Sequence, residues 1–253
     1  MADRSNDCVY RIAEVHGRVR MKPTTQTLTV DGPVGAIDCA LDLPSIPARA
    51  IALIAHPHPL HGGARDNKVV QTIARALLDL GCACWRPDFR GVGRSAGEYD
   101  EGRGETDDLL QVLEAAAAHE SASDLEAPLP LMLAGFSFGS FVQSRVAPRV
   151  DATRFALAPM LMVGTAAARF DVQALPADAI VIHGETDDVV PLADVMAWAR
   201  PQVLPVTVLP DTGHFFHGRL TLLKQLILRE LAATFGVPGD AHRPRIASER
   251  QRS

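Results

Sequence analysis

The stretch LMLAGFSFGS, residues 131–140, decides how this sequence is interpreted. It opens with a continuous apolar run, Leu131–Ala134, and continues through GFSFG into a segment with a helical pattern that stops at Pro148. A short continuous apolar run is typical of a strand that is covered on both faces of a parallel sheet. The pattern G-x-S-x-G between a strand and a helix therefore predicts a sharp turn with Ser137 at its apex.

The two glycines of this turn have a steric explanation. Bulky side chains two positions before or after Ser137 would collide with neighbouring backbone, so Gly135 and Gly139 are the residues that such a turn needs. The turn lifts the Ser137 hydroxyl clear of the sheet, at a helix N-terminus whose dipole favours developing negative charge. A chance glycine-rich connection is the alternative, but the order of strand, turn and helix favours a nucleophile.

Similar short apolar runs recur on both sides of this stretch. Two alternating segments, Thr25–Val30 and Ala36–Leu43, flank the turn signal Asp31-Gly32-Pro33 and predict an antiparallel hairpin at one edge of the sheet. The remaining predicted strands are Ile51–Ala55, Cys82–Trp85, Leu131–Ala134, Phe155–Ala158, Ile180–Ile182 and Val206–Leu209.

Helical periodicity separates these runs. The predicted helices are Asn67–Leu80, Thr106–His119, Phe138–Ala147, Leu192–Arg200 and Phe216–Thr234. A regular alternation of strands and helices predicts the α/β class with right-handed crossovers. We therefore expect a mostly parallel eight-stranded sheet with helices on both faces.

A serine hydroxyl becomes a useful nucleophile only when a base takes its proton and an acid orients that base. In open parallel sheets such groups follow the carboxyl ends of strands. Asp187 and Asp188 follow the strand at 180–182, and His214 follows the strand at 206–209. The chain order is then serine, acid and histidine, which is the order found in α/β-hydrolases.

Each of these positions has a competitor nearby. Asp187 fits the pattern H-G-x-x-D that begins at His183, so we assign it as the acid and expect Asp188 to be solvated or to cap the next helix. His214 follows its strand through a flexible glycine, whereas His217 falls in the predicted helix and is expected to pack or to face solvent. We interpret His183 as a hydrogen-bonded structural residue.

Acyl transfer also needs two donors for the developing oxyanion. One is the backbone N–H of Phe138, the residue after the serine, and the other belongs to the loop after the strand Ile51–Ala55. That loop reads HPHPLHGG at 56–63, and Pro57 and Pro59 have no N–H to donate. The hypothesis is therefore that the second donor is the backbone N–H of His58.

The three histidines of this loop also permit a metal site. H-x-H-x-x-H resembles the zinc signature H-x-H-x-D-H, but Leu60 stands where that signature has its aspartate, and no further ligand set follows at an obvious spacing. We predict no metal here and keep a metal-dependent hydrolase using His56, His58 and His61 as the weaker alternative. The imidazoles of His56 and His61 are expected to brace the loop.

Composition excludes several classes of partner. The formal net charge is −5, so the chain lacks the basic footprint of a nucleic-acid-binding protein. The N-terminal residues mix acidic and basic side chains without the apolar segment of a signal peptide, and the uncharged stretch Phe155–Ala168 is too short to cross a bilayer. We expect a cytoplasmic protein with no membrane partner.

The two ends of the chain differ from the middle. Residues 1–24 are polar without a clear period, and residues 236–253 hold charges, two prolines and little to bury. We therefore expect a polar N-terminal extension over 1–24, one catalytic domain over 25–235 and a disordered tail over 236–253.

Several motifs together resemble the α/β-hydrolase superfamily, and in particular a group of small bacterial hydrolases classed as serine esterases. They are HPHPLHGG at 56–63, DFRGVGRS at 88–95, GFSFG at 135–139, HGETDDVVP at 183–191 and GHFFHG at 213–218. The resemblance covers roughly residues 25–235. It implies a triad of Ser137, Asp187 and His214 that hydrolyses carboxylic esters without a cofactor.

Members of this superfamily often carry a lid between the fourth and fifth parallel strands. The corresponding interval here, Pro159 to Ala179, is short, so we predict an open site without a cap domain. Its apolar residues Met160, Leu161 and Met162 are candidates for a substrate pocket, with core packing as an equal alternative. An open site favours small or short-chain esters.

The sequence thus predicts a serine esterase acting on a small-molecule ester. Thioester or amide hydrolysis would use the same residues, and a non-catalytic ligand-binding protein of the same fold is the alternative from another class. The oligomeric state stays open, with a homodimer as one option.

Overall fold

A computed structural model describes residues 23–120, 128–167 and 169–235 of the chain. Within these residues nine strands form one sheet. They are β1 (Thr24–Gly32), β2 (Gly35–Leu43), β3 (Ala50–Ala55), β4 (Cys82–Pro87), β5 (Leu129–Phe136), β6 (Phe155–Leu157), β7 (Leu161–Val163), β8 (Ile180–Gly184) and β9 (Val206–Leu209). The predicted N-terminal extension, apart from residues 23 and 24, and the predicted tail lie outside the described residues, so the division into these segments stays a prediction.

The sheet is mostly parallel, as predicted. Its order is β1-β2-β4-β3-β5-β7-β8-β9, and β6 pairs with β5 beside this path. The hairpin of β1 and β2 lies at one edge, and β2 pairs antiparallel with β4. The other pairings, from β4 through to β9, are parallel.

The strand predicted at 155–158 is one half of an interrupted strand. β6 pairs with the beginning of β5 and β7 with its end, so both halves run along the same neighbour. Pro159 lies between them, and a proline has no N–H for a continuous ladder. The order of strands across the sheet therefore still contains eight strands. The strand beside β8 is β7, however, and not the strand predicted at residues 155–158.

Helices cover both faces of the sheet, as predicted. Their bounds are α1 (Lys68–Asp79), α2 (Arg103–Glu120), α3 (Phe138–Val146), α4 (Leu192–Ala199) and α5 (Leu220–Phe235). Apolar residues of α1 and α5 form one core layer, and those of α2, α3 and α4 form the other. Two separate layers account for the continuous apolar runs, because alternate residues of each central strand face different layers.

The last helix begins four residues later than its periodicity predicted. Phe216 and Gly218 have φ angles of +52° and +69°, which lie in the left-handed region and cannot continue an α-helix. The chain makes a turn there before α5 begins at Leu220.

The topology brings four loops together. β3, β5, β8 and β9 are parallel, so the segments that follow their carboxyl ends meet at one edge of the sheet. Between β7 and β8, the described residues 164–167 and 169–179 form neither a helix nor a strand. No cap domain is inserted between these strands, and this edge of the sheet stays open. Among the helices of the described residues, none is long and apolar enough to cross a membrane.

Candidate active site

Ser137 stands alone between β5 and α3 in a strained backbone conformation. Its φ and ψ angles are +55° and −120°, a region that residues with a Cβ rarely adopt. Holding such a residue costs on the order of 1–3 kcal/mol, and such strain is found mainly at functional sites. The structure thus places Ser137 at the apex of the sharp turn that the sequence predicted.

Both glycines of this turn are required by close backbone contacts. A Cβ on Gly135 would lie 2.5 Å from the carbonyl carbon of Gly139, and a Cβ on Gly139 would lie 2.2 Å from the carbonyl oxygen of Ala55. Ala55 is the last residue of β3. The second glycine therefore lets the start of α3 approach the loop that begins at His56.

His214 lies between Ser137 and Asp187. Its Nε2 is 3.0 Å from the Ser137 hydroxyl oxygen, and its Nδ1 is 2.7 Å from Asp187 Oδ2. All three residues are buried, and Ser137 keeps 8% of its surface exposed. The structure thus brings the predicted serine, histidine and acid into one hydrogen-bonded row, with the serine at the end that solvent reaches.

The second oxygen of Asp187 is held by backbone. The N–H groups of Val189 and Val190 donate to Oδ1 at 2.9 and 2.7 Å. Burial is the largest influence on this carboxyl and opposes its ionisation, but the hydrogen bonds from His214 and Val190 outweigh it, so the pKa of Asp187 lies below its ordinary value. Asp187 is therefore a fixed carboxylate that orients His214 Nδ1.

The loops that carry the acid and the histidine are joined to each other. The N–H of Thr186 donates to the Thr212 carbonyl at 3.1 Å, and a Cβ on Gly184 would lie only 2.2 Å from that same oxygen. On its other side His214 packs near Gly164, where a Cβ would come within 3.3 Å of the imidazole Cε1. Small residues therefore allow the imidazole to lie between two loops.

The neighbouring acid and histidines that the sequence offered as alternatives to Asp187 and His214 lie outside the hydrogen-bonded row. Asp188 is exposed and has no contact with His214 like that of Asp187, and His217 is exposed in the turn before α5, where its ring stacks on Phe215. His183 is fully buried with its Nε2 2.9 Å from the Val190 carbonyl, and burial lowers its pKa. His217 thus precedes the last helix, whereas the sequence placed it within that helix.

The two proposed oxyanion donors come from adjacent segments. Phe138 is the first residue of α3, so its N–H has no partner within the helix. The rings of His58 and Phe138 have centroids 4.9 Å apart, which places the loop after β3 beside the start of this helix. His58 has a φ angle of −53°, and its ring also packs against Tyr99 and Phe170.

Two histidines of this loop use ring nitrogens for hydrogen bonds to backbone groups. Both ring nitrogens of the fully buried His56 have backbone partners, the Pro57 carbonyl and the Phe89 N–H, and His58 Nδ1 accepts from the N–H of Leu60. Among the described residues, no three His, Cys, Asp or Glu side chains are placed to hold an ion. The imidazole of His56 holds the loop, as its sequence position suggested.

The proposed substrate pocket at Met160, Leu161 and Met162 is wrong. These side chains have no exposed surface, because the segment enters β7 and packs into both core layers. A cavity of about 470 Å³ lies instead beside His214. It is lined by Asp188, Val189, Asp211, Gly213, His214, Phe215 and His217.

Sequence reasoning missed this cavity although it had singled out the motifs that line it. Phe215 follows His214 directly and is 44% exposed, an unusual position for a phenylalanine. Its sequence signal was the pair of phenylalanines in GHFFHG, of which Phe216 is buried and Phe215 is not. Which of the two rings faces the core depends on the backbone angles of this turn, such as the φ angle of +52° at Phe216, and these angles are not readable from the sequence.

We expect the protein to lose stability as the pH falls from 6.5 towards 4. Burial lowers the pKa of His56 to about 4, with nearby Arg65 acting in the same direction. In this window the unfolded chain binds a proton that the folded chain does not, so the free energy of unfolding decreases by up to roughly 3 kcal/mol. The lowered pKa of His183 also makes the protein less stable as the pH falls. Burial raises the pKa of Asp88, so protonation of Asp88 in the folded protein offsets part of this loss near pH 4.

Urea unfolding at pH 7, 6 and 5 measures this dependence. His56→Asn removes one titrating imidazole and should flatten the slope between pH 6.5 and 4. Equal slopes for the variant and the parent protein would contradict the assignment of His56 as a buried neutral residue.

The fold and the site together indicate the class of protein, because a serine at the sharp turn after a central parallel strand is typical of hydrolases with this architecture. The family described as serine aminopeptidase S33 has a model, Hydrolase_4, that matches residues 55–176. The structure of XC6422 from Xanthomonas campestris, described as an a/b serine hydrolase without lid, is 36% identical with a TM-score of 0.73, over 83% of this chain and 95% of that chain.

Two further relatives match this chain at similar sequence identity. An alpha-beta serine hydrolase homologue from Coxiella burnetii is 37% identical with a TM-score of 0.72, over 82% of this chain and 97% of that chain. The uncharacterized protein RP471 of Rickettsia prowazekii is 34% identical over 170 residues, which are 65% of this chain and 68% of that protein. This chain belongs to the serine hydrolases of the α/β-hydrolase superfamily.

Proposed function

We propose that this protein is a carboxylic ester hydrolase that acts through Ser137, His214 and Asp187. The observation that carries the proposal is the row of two hydrogen bonds that links the serine hydroxyl to His214 and His214 to the carboxylate. A serine, an imidazole and a buried acid in this order form the arrangement that activates a hydroxyl for acyl transfer.

In the first step Ser137 Oγ attacks the ester carbonyl while His214 Nε2 takes its proton. Asp187 accepts a hydrogen bond from the Nδ1–H group of His214 and stabilises the imidazolium that forms. The carbonyl oxygen becomes an oxyanion, for which the N–H groups of Phe138 and His58 are the proposed donors. His214 then returns the proton to the departing alcohol.

In the second step water replaces the alcohol. His214 takes a proton from the water molecule, which attacks the acyl-serine, and the acid leaves as Ser137 recovers its proton. None of these steps needs a cofactor. The open edge without a cap domain supports small or short-chain esters as the substrate class, because little protein surface is available to enclose a long acyl chain.

The cavity beside His214 supports a site for the departing group. Its lining includes His214, whose imidazole returns the proton, but neither Phe138 nor His58. We therefore place the alcohol portion of the substrate towards Phe215 and the acyl portion towards the proposed oxyanion donors.

Labelling with a fluorophosphonate tests the proposal. The reagent should phosphonylate Ser137, as mapped by peptide mass spectrometry, and it should block hydrolysis of a p-nitrophenyl acetate probe. Folded protein that carries no label at Ser137 would contradict the proposal and favour a non-catalytic binding protein of the same fold.

Amide hydrolysis is the second candidate because the matched family model is described as a serine aminopeptidase. Matched acetate, thioacetate and anilide substrates with one common aryl group would separate ester, thioester and amide hydrolysis. A series of p-nitrophenyl esters with increasing acyl length then defines acyl preference. We expect the ester to exceed the anilide in kcat/KM, and short chains to exceed long ones.

His58→Ala and His58→Pro form a matched pair that tests the second oxyanion donor. Both variants lose the imidazole, but only proline also loses the backbone N–H. The φ angle of −53° at His58 is one that proline adopts, so this angle need not change. We expect kcat to fall less than about 10-fold in His58→Ala and by about 10²–10³-fold in His58→Pro.

Steady-state kinetics on a p-nitrophenyl ester measures both variants, with circular dichroism as the check on folding. A large and equal loss of kcat in the two variants would instead assign the role to the His58 side chain.

A further inference from the structure

His56 is fully buried next to the proposed oxyanion site, and the mechanism above gives it no task. The N–H of Phe89 donates to its Nε2 at 2.9 Å. That nitrogen must therefore carry a lone pair, so in the neutral ring the proton is on Nδ1. Nδ1 lies 2.7 Å from the carbonyl oxygen of Pro57 and donates to it.

The carbonyl that His56 holds belongs to the same peptide unit as the N–H of His58. A trans peptide bond is planar, so the carbonyl oxygen and the amide hydrogen point in opposite directions. Fixing the Pro57 oxygen therefore fixes the direction of the His58 N–H. A hydrogen bond to the carbonyl also polarises the peptide and strengthens its N–H as a donor.

A second contact restrains the same carbonyl. A Cβ on Gly63 would lie 2.0 Å from the Pro57 oxygen and 2.5 Å from its carbon, so the Gly63 backbone lies directly against this peptide. The N–H of Gly63 donates to the next carbonyl, that of His58, at 3.0 Å. The Pro57–His58 peptide is thus held by a buried imidazole and by a glycine without a side chain.

We propose that His56 is a positioning residue for catalysis, which aims the His58 N–H at the oxyanion through its hydrogen bond to the Pro57 carbonyl. This inference rests on the proposed function. Burial keeps the imidazole neutral at neutral pH, with a pKa of about 4, so the arrangement of one donor and one acceptor persists. His56 touches no reacting atom itself.

His56→Asn and His56→Gln separate this role from general structural support. The asparagine amide nitrogen reaches the place of Nδ1 and can donate to the Pro57 carbonyl, but it leaves the Phe89 N–H without its acceptor. The glutamine amide reaches the place of Nε2 and can accept from Phe89, but it leaves the Pro57 carbonyl free. Each variant therefore loses one of two buried hydrogen bonds.

We expect kcat on a p-nitrophenyl ester to fall by roughly 10–100-fold in His56→Gln and less than about 5-fold in His56→Asn, with KM little changed in both. A misaimed oxyanion donor weakens the transition state rather than the bound substrate. Affinity for an aryl trifluoromethyl ketone provides a second readout, because Ser137 Oγ adds to its carbonyl carbon and the carbonyl oxygen becomes the oxyanion. This affinity should fall by the same factor as kcat/KM.

Gly63→Ala keeps the test valid if the His56 variants fail to fold. Its methyl group would collide with the Pro57 carbonyl and displace it, so it should lower kcat and ketone affinity together. Gly62→Asn is the control in the same loop, since its Cβ would meet open space and asparagine tolerates the φ angle of +77° there.

The outcomes distinguish this inference from the proposed function. If the parent protein is labelled at Ser137 and turns over the ester, but His56→Gln matches it within about 3-fold or falls equally with His56→Asn, the positioning role is overturned. Unchanged kcat in Gly63→Ala would overturn it as well. A parent protein with neither label nor turnover would overturn the proposed function, and this inference with it.

Discussion

Replacing Ser137 by alanine should lower kcat for ester hydrolysis by roughly 10⁵–10⁶-fold and abolish fluorophosphonate labelling. The hydroxyl is the group that forms the covalent intermediate, and its 3.0 Å contact with His214 Nε2 supplies the route for its proton. Removing the nucleophile of such a row removes nearly all catalysis at once, because the remaining members act only through it. Stopped or continuous assays with a p-nitrophenyl ester measure the loss directly.

Ser137→Gly is the matched variant that excludes unfolding as the cause. The φ angle of +55° at this position strains any residue with a Cβ, and glycine relieves that strain. We expect Ser137→Gly to be as inactive as Ser137→Ala and more stable by about 1 kcal/mol in chemical unfolding. Retention of more than a few per cent of the parent activity in either variant would remove Ser137 from the mechanism.

The parts of the fold that the sequence predicted are those that local rules determine. Continuous apolar runs marked the central strands, since each is covered by helices on both faces. The helix predicted at Asn67–Leu80 agrees closely with α1, because the Asn67 side chain accepts from Val69 N–H at its start and Gly81, with a φ angle of +85°, follows its end. These signals act within a few residues of one another, so a single sequence contains them.

Other boundaries depended on contacts that the apolar periodicity does not show. α2 begins three residues before its apolar periodicity, because Asp100 accepts from the N–H of Gly104 and Glu105 accepts from that of Gly102. The interruption at Pro159 splits a strand that the sequence treated as one run followed by a pocket segment. Burial of Met160–Met162 follows from their pairing with neighbours in the sheet, which the apolar composition alone could not distinguish from a pocket lining.

The candidate site was predictable where chain order and topology sufficed. Ser137, Asp187 and His214 each follow a strand, and parallel strands bring their carboxyl ends together. The role inferred for His56 was not predictable, because it depends on which ring nitrogen faces the Phe89 N–H, thirty-three positions along the chain. The cavity beside His214 was missed for a similar reason, since it forms between the loops after β8 and β9.

Asp187→Asn should lower kcat on the order of 10⁴-fold with the fold intact, because it reverses the tautomer of His214. Oδ1 of Asp187 accepts from the N–H groups of Val189 and Val190, so the amide oxygen of asparagine must occupy that place. The amide nitrogen then faces His214 Nδ1 and donates to it. Nδ1 becomes the acceptor, the proton moves to Nε2, and Nε2 can no longer take the proton of Ser137.

Asp188→Asn is the control that decides between the two neighbouring acids. Asp188 is exposed, so neutralising it leaves the hydrogen bonds of His214 in place. Because it also lines the cavity proposed for the alcohol portion, we expect a change in kcat of less than about 10-fold, far below that of Asp187→Asn. Thermal unfolding of both variants shows whether the fold is retained, which the isosteric substitution at Asp187 favours. If Asp188→Asn loses activity and Asp187→Asn does not, the wrong acid has been assigned. If neither variant loses activity, His214 works without an orienting carboxylate, which its 2.7 Å contact with Asp187 argues against.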